Sequence, residues 1–539
     1  GITEAINNGS ATNNIYLSNS GSILFNDKVI LKNIGAGTNS RIYLNSRTGS
    51  LNTYNEDIEL HASNGQGIRF GESGGAAVLA ANKTISVGLG GFSSGTLFLR
   101  NFSQTGATAQ QLTLTGSAYL YLRDADWDGS VTFTAPRVYT NGSSYRGTCL
   151  LHKTGSGGDT SPGGNQFRQN TEIRNSGSGS FIMGNGNADI FEANLDLYNT
   201  GSSNLYLANS GLGHVVQGNL NVFQTASGIN SSLYISNRNG TQLDCQGLTQ
   251  IINNGSGSNN RIYLGNGGSI IFDRSLDLLN IGTGNNSGIY LNQSINSFNR
   301  YNDNIQLTST GGQGIRFGDN GGSAILAANK TLNISPTGFT TRRLVFRNFT
   351  QLGNTAQNLL LSGSGYLYLR NAYWGGDIYF SSPRFYTADS RFLGLSYIEK
   401  TGPDNDYSPG GNYFLSDANI IHSGDNAMIM GNGKADTFQT NLEVINNGTG
   451  SFYLANQGPN HFIGGNLDLS HLVNADNDIL VLANNTLSSL RIDGNTNLIN
   501  NTSSNSNRVY LGNYGDIIFN GQLRLHNLGS GINSGIYLN

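Results

Sequence analysis

Short apolar stretches recur along the whole chain and are separated by segments rich in Gly, Asn and Ser. The commonest stretch is an aliphatic residue, a tyrosine and a second aliphatic residue, as in IYL at residues 42–44 and 262–264. Successive copies lie roughly 23 to 33 residues apart, which is the length of one turn of a solenoid. In the first turn, alternating apolar residues predict strands at residues 14–19, 22–26 and 28–33.

This pattern predicts an all-β protein, a right-handed parallel β-helix (β-solenoid) with about 27 residues and three short strands in each coil. Gly, Asn and Ser suit the corners because they tolerate positive φ and bond locally to the backbone. No segment repeats its apolar residues with the period of an amphipathic helix, so we expect no substantial helix. The chain has only seven prolines, as expected where most backbone N–H groups lie in strands.

A longer repeat is superimposed on the turns. The sequence GQGIRFG at residues 65–71 recurs at residues 312–318, and SPGGN at residues 161–165 recurs at residues 408–412. Because the chain opens and stops inside a turn, we expect it to be a slice of a longer array. The predicted solenoid repeat units are residues 1–246, residues 247–493 and residues 494–539, the last being the start of a third unit.

Composition narrows the classes of function. Charged residues make up 12% of the chain, the net charge is −3 and no basic tract is present, so a nucleic-acid partner is not expected. No apolar run approaches the roughly 20 residues that a membrane-spanning helix needs. Cys149 and Cys245 lie in alternating apolar segments about three and a half turns apart, so we expect buried thiols and no disulfide.

The tyrosines of the repeated tripeptides are predicted to form an outward row. Period-two geometry places the residues on either side of each tyrosine inside, and the same central position also accepts Arg69 and Arg316. An exposed aromatic row usually marks an interface, although stacked rings can also simply stiffen the sheet. The predicted assembly or ligand face consists of Tyr16, Tyr43, Tyr206, Tyr234, Tyr263, Tyr290, Tyr453, Tyr510 and Tyr537.

The longest polar stretch, residues 154–165, is matched by residues 401–412 in the second unit. Loops that bulge from a regular scaffold often carry binding, so we predict a binding loop here, with an ordinary solvated loop as the alternative. Its candidate residues are Asp159, Ser161, Asn165, Asp406, Ser408 and Asn412. Arginines at matching positions are expected nearby, either contacting acidic or sugar partners or bonding corner carbonyls: Arg100 and Arg347, Arg123 and Arg370, and Arg137 and Arg384.

Candidate metal and catalytic residues are sparse. Asp124, Asp126 and Asp128 resemble the first half of a calcium loop, but the twelfth position is Ala135 instead of Glu. The second copy lacks all three carboxylates, so we expect a structural corner and no cofactor, with calcium left as an alternative. The acidic residues kept in both copies are spread along the unit and no nucleophile–base constellation repeats. No catalytic or metal-binding residue is therefore predicted, and the chain is expected not to be an enzyme.

The tyrosine-centred turns, Gly/Asn/Ser corners, nested repeat and scarce cysteine resemble the giant repetitive β-solenoid surface proteins of gliding Bacteroidota-type bacteria, of the grappling-hook or gliding-adhesin type. The resemblance covers the whole chain and implies an extracellular, cell-surface location. The expected function is the structural and adhesive shaft of a filamentous appendage. Self-association would build a homo-oligomeric fibre, with cell-surface glycans or a prey or host surface as further partners. The alternatives are a carbohydrate-binding β-helix array and a polysaccharide lyase or hydrolase.

Overall fold

The chain was analysed as a computed structural model that describes residues 1–473 and 475–539. The regular secondary structure of these residues consists of β-strands, without any helix. The strands form a parallel β-solenoid of about 21 turns. The all-β solenoid and the absence of helix that the pattern predicts are confirmed for the described residues.

Contacts divide the solenoid into two compact units. Unit 1 comprises Gly1–Arg274 and Gly282–Ser287, and unit 2 comprises Ser275–Ile281 and Gly288–Asn539. Within each unit, most strands pair in parallel with the strand three positions later along the chain. For description, we group the strands into three series by this pairing and call them face 1, face 2 and face 3 in the order in which the chain visits them. The repeat boundaries remain predictions from the sequence.

In unit 1 the strands are short on all three faces. Face 1 consists of Thr3–Asn7, Val29–Asn33, Ile58–Ala62, Ile85–Phe92, Gln110–Thr113, Val131–Ala135, Cys149–Lys153, Thr171–Asn175, Leu195–Asn199, Leu220–Gln224 and Thr249–Asn253. Face 2 consists of Asn14–Leu17, Arg41–Leu44, Gly67–Phe70, Thr96–Arg100, Tyr119–Arg123, Arg137–Asn141, Asp159–Thr160, Phe181–Ile182, Leu205–Leu207, Leu233–Ile235 and Arg261–Leu264. Face 3 consists of Ile23–Phe25, Leu51–Tyr54, Ala76–Leu79, Phe102–Gln104, Asp126–Trp127, Ser144–Tyr145, Gln166–Phe167, Ile190–Phe191, His214–Val216, Gln242–Cys245 and Ser269–Phe272.

Unit 2 follows the same order. Face 1 consists of Leu276–Asn280, Ile305–Ser309, Leu332–Phe339, Gln357–Leu360, Ile378–Ser382, Ser396–Lys400, Ala418–His422, Leu442–Asn446, Leu467–His471, Thr496–Asn500 and Leu523–Asn527. Face 2 consists of Gly288–Leu291, Gly314–Phe317, Thr341–Arg347, Ser364–Arg370, Arg384–Ala388, Asp406–Tyr407, Met428–Ile429, Phe452–Leu454, Ile479–Leu482, Arg508–Leu511 and Gly535–Leu538. Face 3 consists of Phe298–Tyr301, Ser323–Leu326, Phe349–Gln351, Tyr373–Trp374, Arg391–Phe392, Tyr413–Phe414, Thr437–Phe438, His461–Ile463, Ser489–Ile492 and Asp516–Phe519.

The number of residues in a turn varies while the register of the strands is kept. Val29 pairs with Ile58, 29 residues later, whereas Val131 pairs with Cys149, 18 residues later. Differences in length are therefore absorbed at the corners, where insertions do not disturb the hydrogen-bonded strands.

The core of each unit lies between the faces and is built by alternation along the strands. In Leu195–Asn199 the first, third and fifth residues are buried. Phe167 stacks on Phe191 with ring centroids 4.6 Å apart, and the side chains of Trp127 and Trp374 have no accessible surface. Burying such rings removes a large apolar area from water, which is the main favourable term in folding.

Many face 1 strands end on a buried polar residue, and we call these residues the internal polar row. Asn33 shows what they do: its Nδ2 donates to the carbonyls of Ser40 and Gly67, both at 2.9 Å. Buried corner carbonyls need such donors because water cannot reach them. The row consists of Asn33, Lys153, Asn175, Asn199, Gln224 and Asn253 in unit 1 and Asn280, Ser309, Ser382, Lys400, His422, Asn446, His471 and Asn500 in unit 2.

Replacing Asn33 with Ala is expected to destabilise unit 1. The change removes two buried hydrogen bonds, each worth roughly 0.5–1.5 kcal/mol, while the Ser40 carbonyl keeps its bond from the Gln66 N–H. A lower midpoint of thermal unfolding, followed by circular dichroism at the β-sheet band, would show the loss. The matched control is Asn64→Ala, because the exposed Asn64 makes a single bond of the same kind, to the Ile34 carbonyl. Equal midpoints for the two variants would contradict the role assigned to the internal polar row.

Candidate functional site

The predicted tyrosines lie on face 2, at equivalent positions of successive strands. Tyr206 pairs in register with Tyr234, and Tyr234 pairs with Tyr263. In both pairs the rings stack with centroids 4.7 Å apart and planes 7° apart. Tyr16 and Tyr43 form the same kind of pair, with centroids 4.9 Å apart. The rings stack because parallel, in-register strand pairing places equivalent residues of successive turns about 4.8 Å apart.

The tyrosine row is only partly exposed, and one of its predicted members is buried. Tyr16 and Tyr537 keep 52% and 38% of their surface accessible, while Tyr290 keeps 6%. The prediction that Tyr290 lies on an exposed face is wrong, because the Arg316 guanidinium lies over its ring, 5.5 Å from the centroid. The other six tyrosines of the row are half-buried, since they lie between residues of neighbouring turns: Tyr43, Tyr206, Tyr234, Tyr263, Tyr453 and Tyr510. The row therefore presents mainly ring edges and hydroxyls to solvent.

The candidate residues of the predicted binding loop are buried. Asp159 Oδ1 accepts a hydrogen bond from Arg137 Nε at 2.9 Å, and its Oδ2 accepts one from the Val138 N–H at 3.0 Å. The loop also lies in a short turn, since Cys149 pairs with Thr171, 22 residues later. The candidate side chains turn inward to satisfy corner backbone groups, while other residues of the loop, such as Ser156 and Thr160, are exposed. All six candidates keep at most 2% of their surface accessible: Asp159, Ser161, Asn165, Asp406, Ser408 and Asn412.

Asn165 instead belongs to a buried polar cluster in unit 1. Asp189 Oδ1 accepts hydrogen bonds from the Asn165 N–H at 3.0 Å and from Asn165 Nδ2 at 2.8 Å. The Asp189 N–H donates to His214 Nδ1 at 3.1 Å, which leaves the ring proton on Nε2, facing the Ser210 carbonyl at 3.1 Å. Gly184 lies against this ring with a φ of 63°, where a Cβ would collide with His214. The cluster thus requires glycine beside it.

Unit 2 repeats the cluster with Asn412, Asp436 and His461. Asp436 Oδ1 accepts from the N–H and from Nδ2 of Asn412, both at 2.9 Å, and the Asp436 N–H donates to His461 Nδ1 at 3.0 Å. Burial raises the pKa of Asp436 to about 7 and that of Asp189 to about 6, while burial lowers the pKa of His461. Among the described residues, Oδ2 of each aspartate has no hydrogen-bond partner. The clusters are buried in the core, so their protonation affects the free energy of unfolding.

The calcium-like segment is neutralised by an arginine. Arg146 forms ion pairs with Asp126, at 3.0 Å, and with Asp128. Trp127, between the two carboxylates, is buried. In the part of the chain that the structure describes, no three His, Cys, Asp or Glu side chains are grouped as a metal site would require. Asp126 and Asp128 therefore fix a corner through Arg146.

The retained arginines bond corner carbonyls. Arg100 donates to the Glu72 carbonyl at 3.2 Å, and Arg347 donates to the Asp319 carbonyl at 2.7 Å. These bonds support one of the two expected roles for Arg100 and Arg347.

An open groove on face 1 of unit 2 was not anticipated, and we call it the tyrosine groove. Its volume is about 420 Å³, and its lining includes Tyr379, Tyr397, Leu395, Asn419 and Glu443. Tyr379 is 47% exposed and stacks on Tyr397 with ring centroids 5.9 Å apart. Asn419 Nδ2 donates to Glu443 Oε2 at 2.8 Å, while Asn419 Oδ1 finds no partner among the described residues. The groove thus combines an aromatic surface with hydrogen-bonding groups.

A sequence signal for this groove exists. The strands Ile378–Ser382 and Ser396–Lys400 each carry a tyrosine at the second position, between two buried residues. The matching residues 247 positions earlier are Thr132 and Leu150, which pair with each other in unit 1. The tyrosine pair is a difference between the copies, so a search for repeated features overlooks it.

No family model, curated protein or solved structure matches the chain. Within the described residues, no helix has the length and apolar character that crossing a bilayer requires. The roles assigned to residues therefore rest on the geometry of this chain.

Replacing Asp436 with Asn is expected to raise stability at neutral pH. A carboxyl whose pKa is raised by folding stabilises the fold fully below its unfolded pKa, and this contribution is lost as pH rises through about 7. Asn keeps the acceptor for Asn412 and has no proton to lose. The midpoint of thermal unfolding at pH 8 should exceed that of the parent chain by several degrees, and the difference should shrink toward pH 4.

The neighbouring His461 acts in the opposite direction, because its lowered pKa destabilises the fold as pH falls below its ordinary range. The difference between the variant and the parent removes this shared contribution. Asp468→Asn, at an exposed carboxylate, is the control and should shift no midpoint. A constant difference between D436N and the parent from pH 4 to pH 8 would show that Asp436 does not titrate in this range.

Proposed function

We propose that this chain is the structural and adhesive shaft of an extracellular, cell-surface filamentous appendage, with no enzymatic activity. Copies of the chain assemble through the tyrosine row into a homo-oligomeric fibre that attaches to surfaces or to other cells. The finer architecture proposed is a right-handed β-helix with three short strands and about 27 residues in each coil. The regular pairing of most strands with the strand three positions later supports this architecture.

The stacked tyrosine row carries the proposal. A run of rings repeating every 4.7 Å on face 2 is a periodic ridge. A surface whose features repeat at the same spacing fits this ridge best. A second copy of this chain has such a surface, because its own tyrosine row repeats at the same spacing. Tyrosine favours such contacts because its ring is apolar while its hydroxyl remains hydrogen-bonded at a wet rim.

The surrounding surface also suits a secreted structural element. Both cysteines are buried and free, so no exposed thiol is offered to an oxidising medium. The polar corner residues are used to hold the backbone, as the internal polar row shows. These features support a stable scaffold whose outward positions are available for contacts.

Replacing Tyr206 and Tyr234 with Ser in the full chain is expected to weaken self-association. The parent should scatter light as a multiple of its 57.4 kDa monomer, and the variant should scatter as a monomer with unchanged β-sheet circular dichroism. The matched control replaces Tyr379 and Tyr397 with Ser, which removes two stacked tyrosines from face 1 and should leave the mass of the assembly unchanged. A parent chain that stays monomeric at all concentrations would sink the assembly proposal.

Carbohydrate binding is the second candidate function, and the tyrosine groove favours it. The apolar face of a sugar ring packs on aromatic side chains, while its hydroxyls need hydrogen-bonding partners at the edge of the ring. Tyr397 supplies an aromatic surface, and Asn419 and Glu443 supply amide and carboxylate groups beside it.

Replacing Tyr379 with Thr and Tyr397 with Leu is expected to weaken this binding. Both changes install the residues of unit 1 at the matching positions, so the ladder tolerates them. Titration calorimetry of the full chain with neutral β-linked oligosaccharides should show affinity reduced about tenfold or more, since two aromatic rings are lost and each stacking contact is worth roughly 0.5–1.5 kcal/mol. The Tyr206/Tyr234 variant should bind like the parent. A parent chain that binds none of the neutral oligosaccharides would rule this function out.

A further inference from the structure

A second cleft lies on face 2 of unit 2, where three consecutive strands meet the solvent. The strands are Thr341–Arg347, Ser364–Arg370 and Arg384–Ala388, and they pair in register. The cleft has a volume of about 300 Å³ and we call it the arginine cleft. Its lining residues are Arg342, Arg343, Ser364, Tyr366, Arg384 and Asp404.

The arginines of the cleft are held in place by one tyrosine. Arg343 pairs with Tyr366, and Tyr366 pairs with Arg384. The Arg343 guanidinium lies 5.4 Å from the centroid of the Tyr366 ring, and the Arg384 guanidinium lies 4.6 Å from it. Cation–π contacts of this kind orient a guanidinium while leaving its N–H groups free to donate. The cleft is therefore preorganised for an acceptor.

Positive charge in the cleft exceeds negative charge. Arg384 is ion-paired with Asp406 at 3.3 Å and lies 3.7 Å from Asp404. Arg342 and Arg343 are exposed, and among the described residues neither forms an ion pair with a carboxylate. Two guanidinium groups are thus available to an anion from outside the chain.

The backbone at Arg342 gives a second, independent indication. Its φ is 59°, in the left-handed region that costs a non-glycine residue roughly 1–2 kcal/mol. The matching position in unit 1 is Gly95, with a φ of 71°, which adopts this conformation without cost. A strained residue at a surface cleft is typical of positions that serve binding instead of folding.

Unit 1 shows what this surface is like without the cleft. Gly95 and Thr96 stand where unit 2 has Arg342 and Arg343. In unit 1, Asp124 lies 3.8 Å from Arg100 and 3.5 Å from Arg123. Its counterpart in unit 2 is Asn371, which carries no charge. At the cleft, unit 2 therefore gains two arginines and one carboxylate, Asp404, whose counterpart in unit 1 is Gly157.

We propose that the arginine cleft binds the carboxylate or sulfate groups of an anionic polysaccharide. Guanidinium groups bind such groups through two parallel hydrogen bonds, which a planar carboxylate matches well. Both faces of the Tyr366 ring are covered by Arg343 and Arg384, so the ring offers no platform for stacking a nucleic-acid base. The chain also has a net charge of −3 and no extended basic footprint of the kind that nucleic-acid binding needs.

This inference rests on the proposed adhesive role for its biological meaning, and it identifies the chemistry of one surface to which the fibre would attach. The cleft shares face 2 with the tyrosine row, but its three strands carry none of the nine tyrosines of that row, so it can bind a polymer without self-association. Loss of assembly and loss of binding are therefore separate outcomes.

The test compares the full chain with the R342G/R343T variant, which installs the residues of unit 1. Because glycine suits the backbone at position 342, the variant should unfold at the same temperature as the parent or higher. Binding to immobilised polygalacturonate, heparin and neutral dextran is measured at near-physiological salt. The parent should bind at least one of the two anionic polymers and should not bind dextran. The affinity of the variant for that polymer should be lower by a factor of about ten or more.

Two further proteins make the result specific. R168T/R238T removes two exposed arginines elsewhere and should bind like the parent. T96R, which builds one arginine of the pair into unit 1 beside Tyr119, should strengthen binding. Preference for polygalacturonate assigns carboxylates, and preference for heparin assigns sulfates. Unchanged binding by R342G/R343T, or equally tight binding of the parent to single-stranded DNA, would overturn the proposal.

Discussion

Parallel, in-register hydrogen bonding between successive turns is the interaction on which every other feature of this protein depends. It places each strand residue about 4.8 Å from the residue at the same position of the next turn. Rings in the core therefore stack on rings, as Phe392, Phe414 and Phe438 do with centroids 4.6 Å apart. The outward tyrosines stack for the same reason. When the same residue type occupies equivalent positions in successive turns, its side chains form a row.

The same ladder creates a demand for polar groups inside the protein. Corners bring carbonyls into the core that no strand partner reaches, and the internal polar row supplies the donors. Lys400 is the extreme case: its Nζ donates to the carbonyls of Gly402 at 2.6 Å and Asp425 at 2.7 Å, and burial lowers its pKa. The Asp189 and Asp436 clusters meet a similar demand with a carboxyl group. Polar residues that the sequence pattern places in loops thus stabilise the fold.

Outward positions are under no such constraint, and the two copies of the long repeat differ there. Tyr379 and Tyr397 replace Thr132 and Leu150 on face 1, and Arg342 replaces Gly95 on face 2. None of these changes disturbs a ladder hydrogen bond, because the side chains project away from the core. A solenoid can therefore carry different surfaces on nearly identical scaffolds, and the differences between its copies are where binding is best sought.

The sequence by itself determined the class of fold, because alternation of apolar residues and their recurrence in each turn are local properties of the chain. It also determined that the tripeptide tyrosines share one face, since period two decides which side of a strand a residue occupies. Only the tertiary structure decided how far each one is exposed. Tyr290 is buried by Arg316, and Asp159 turns inward to Val138, and both contacts join residues of neighbouring turns. The turns vary in length from 18 to 29 residues, the corners absorb the difference, and a local pattern contains no information about which side chains those corners bring together.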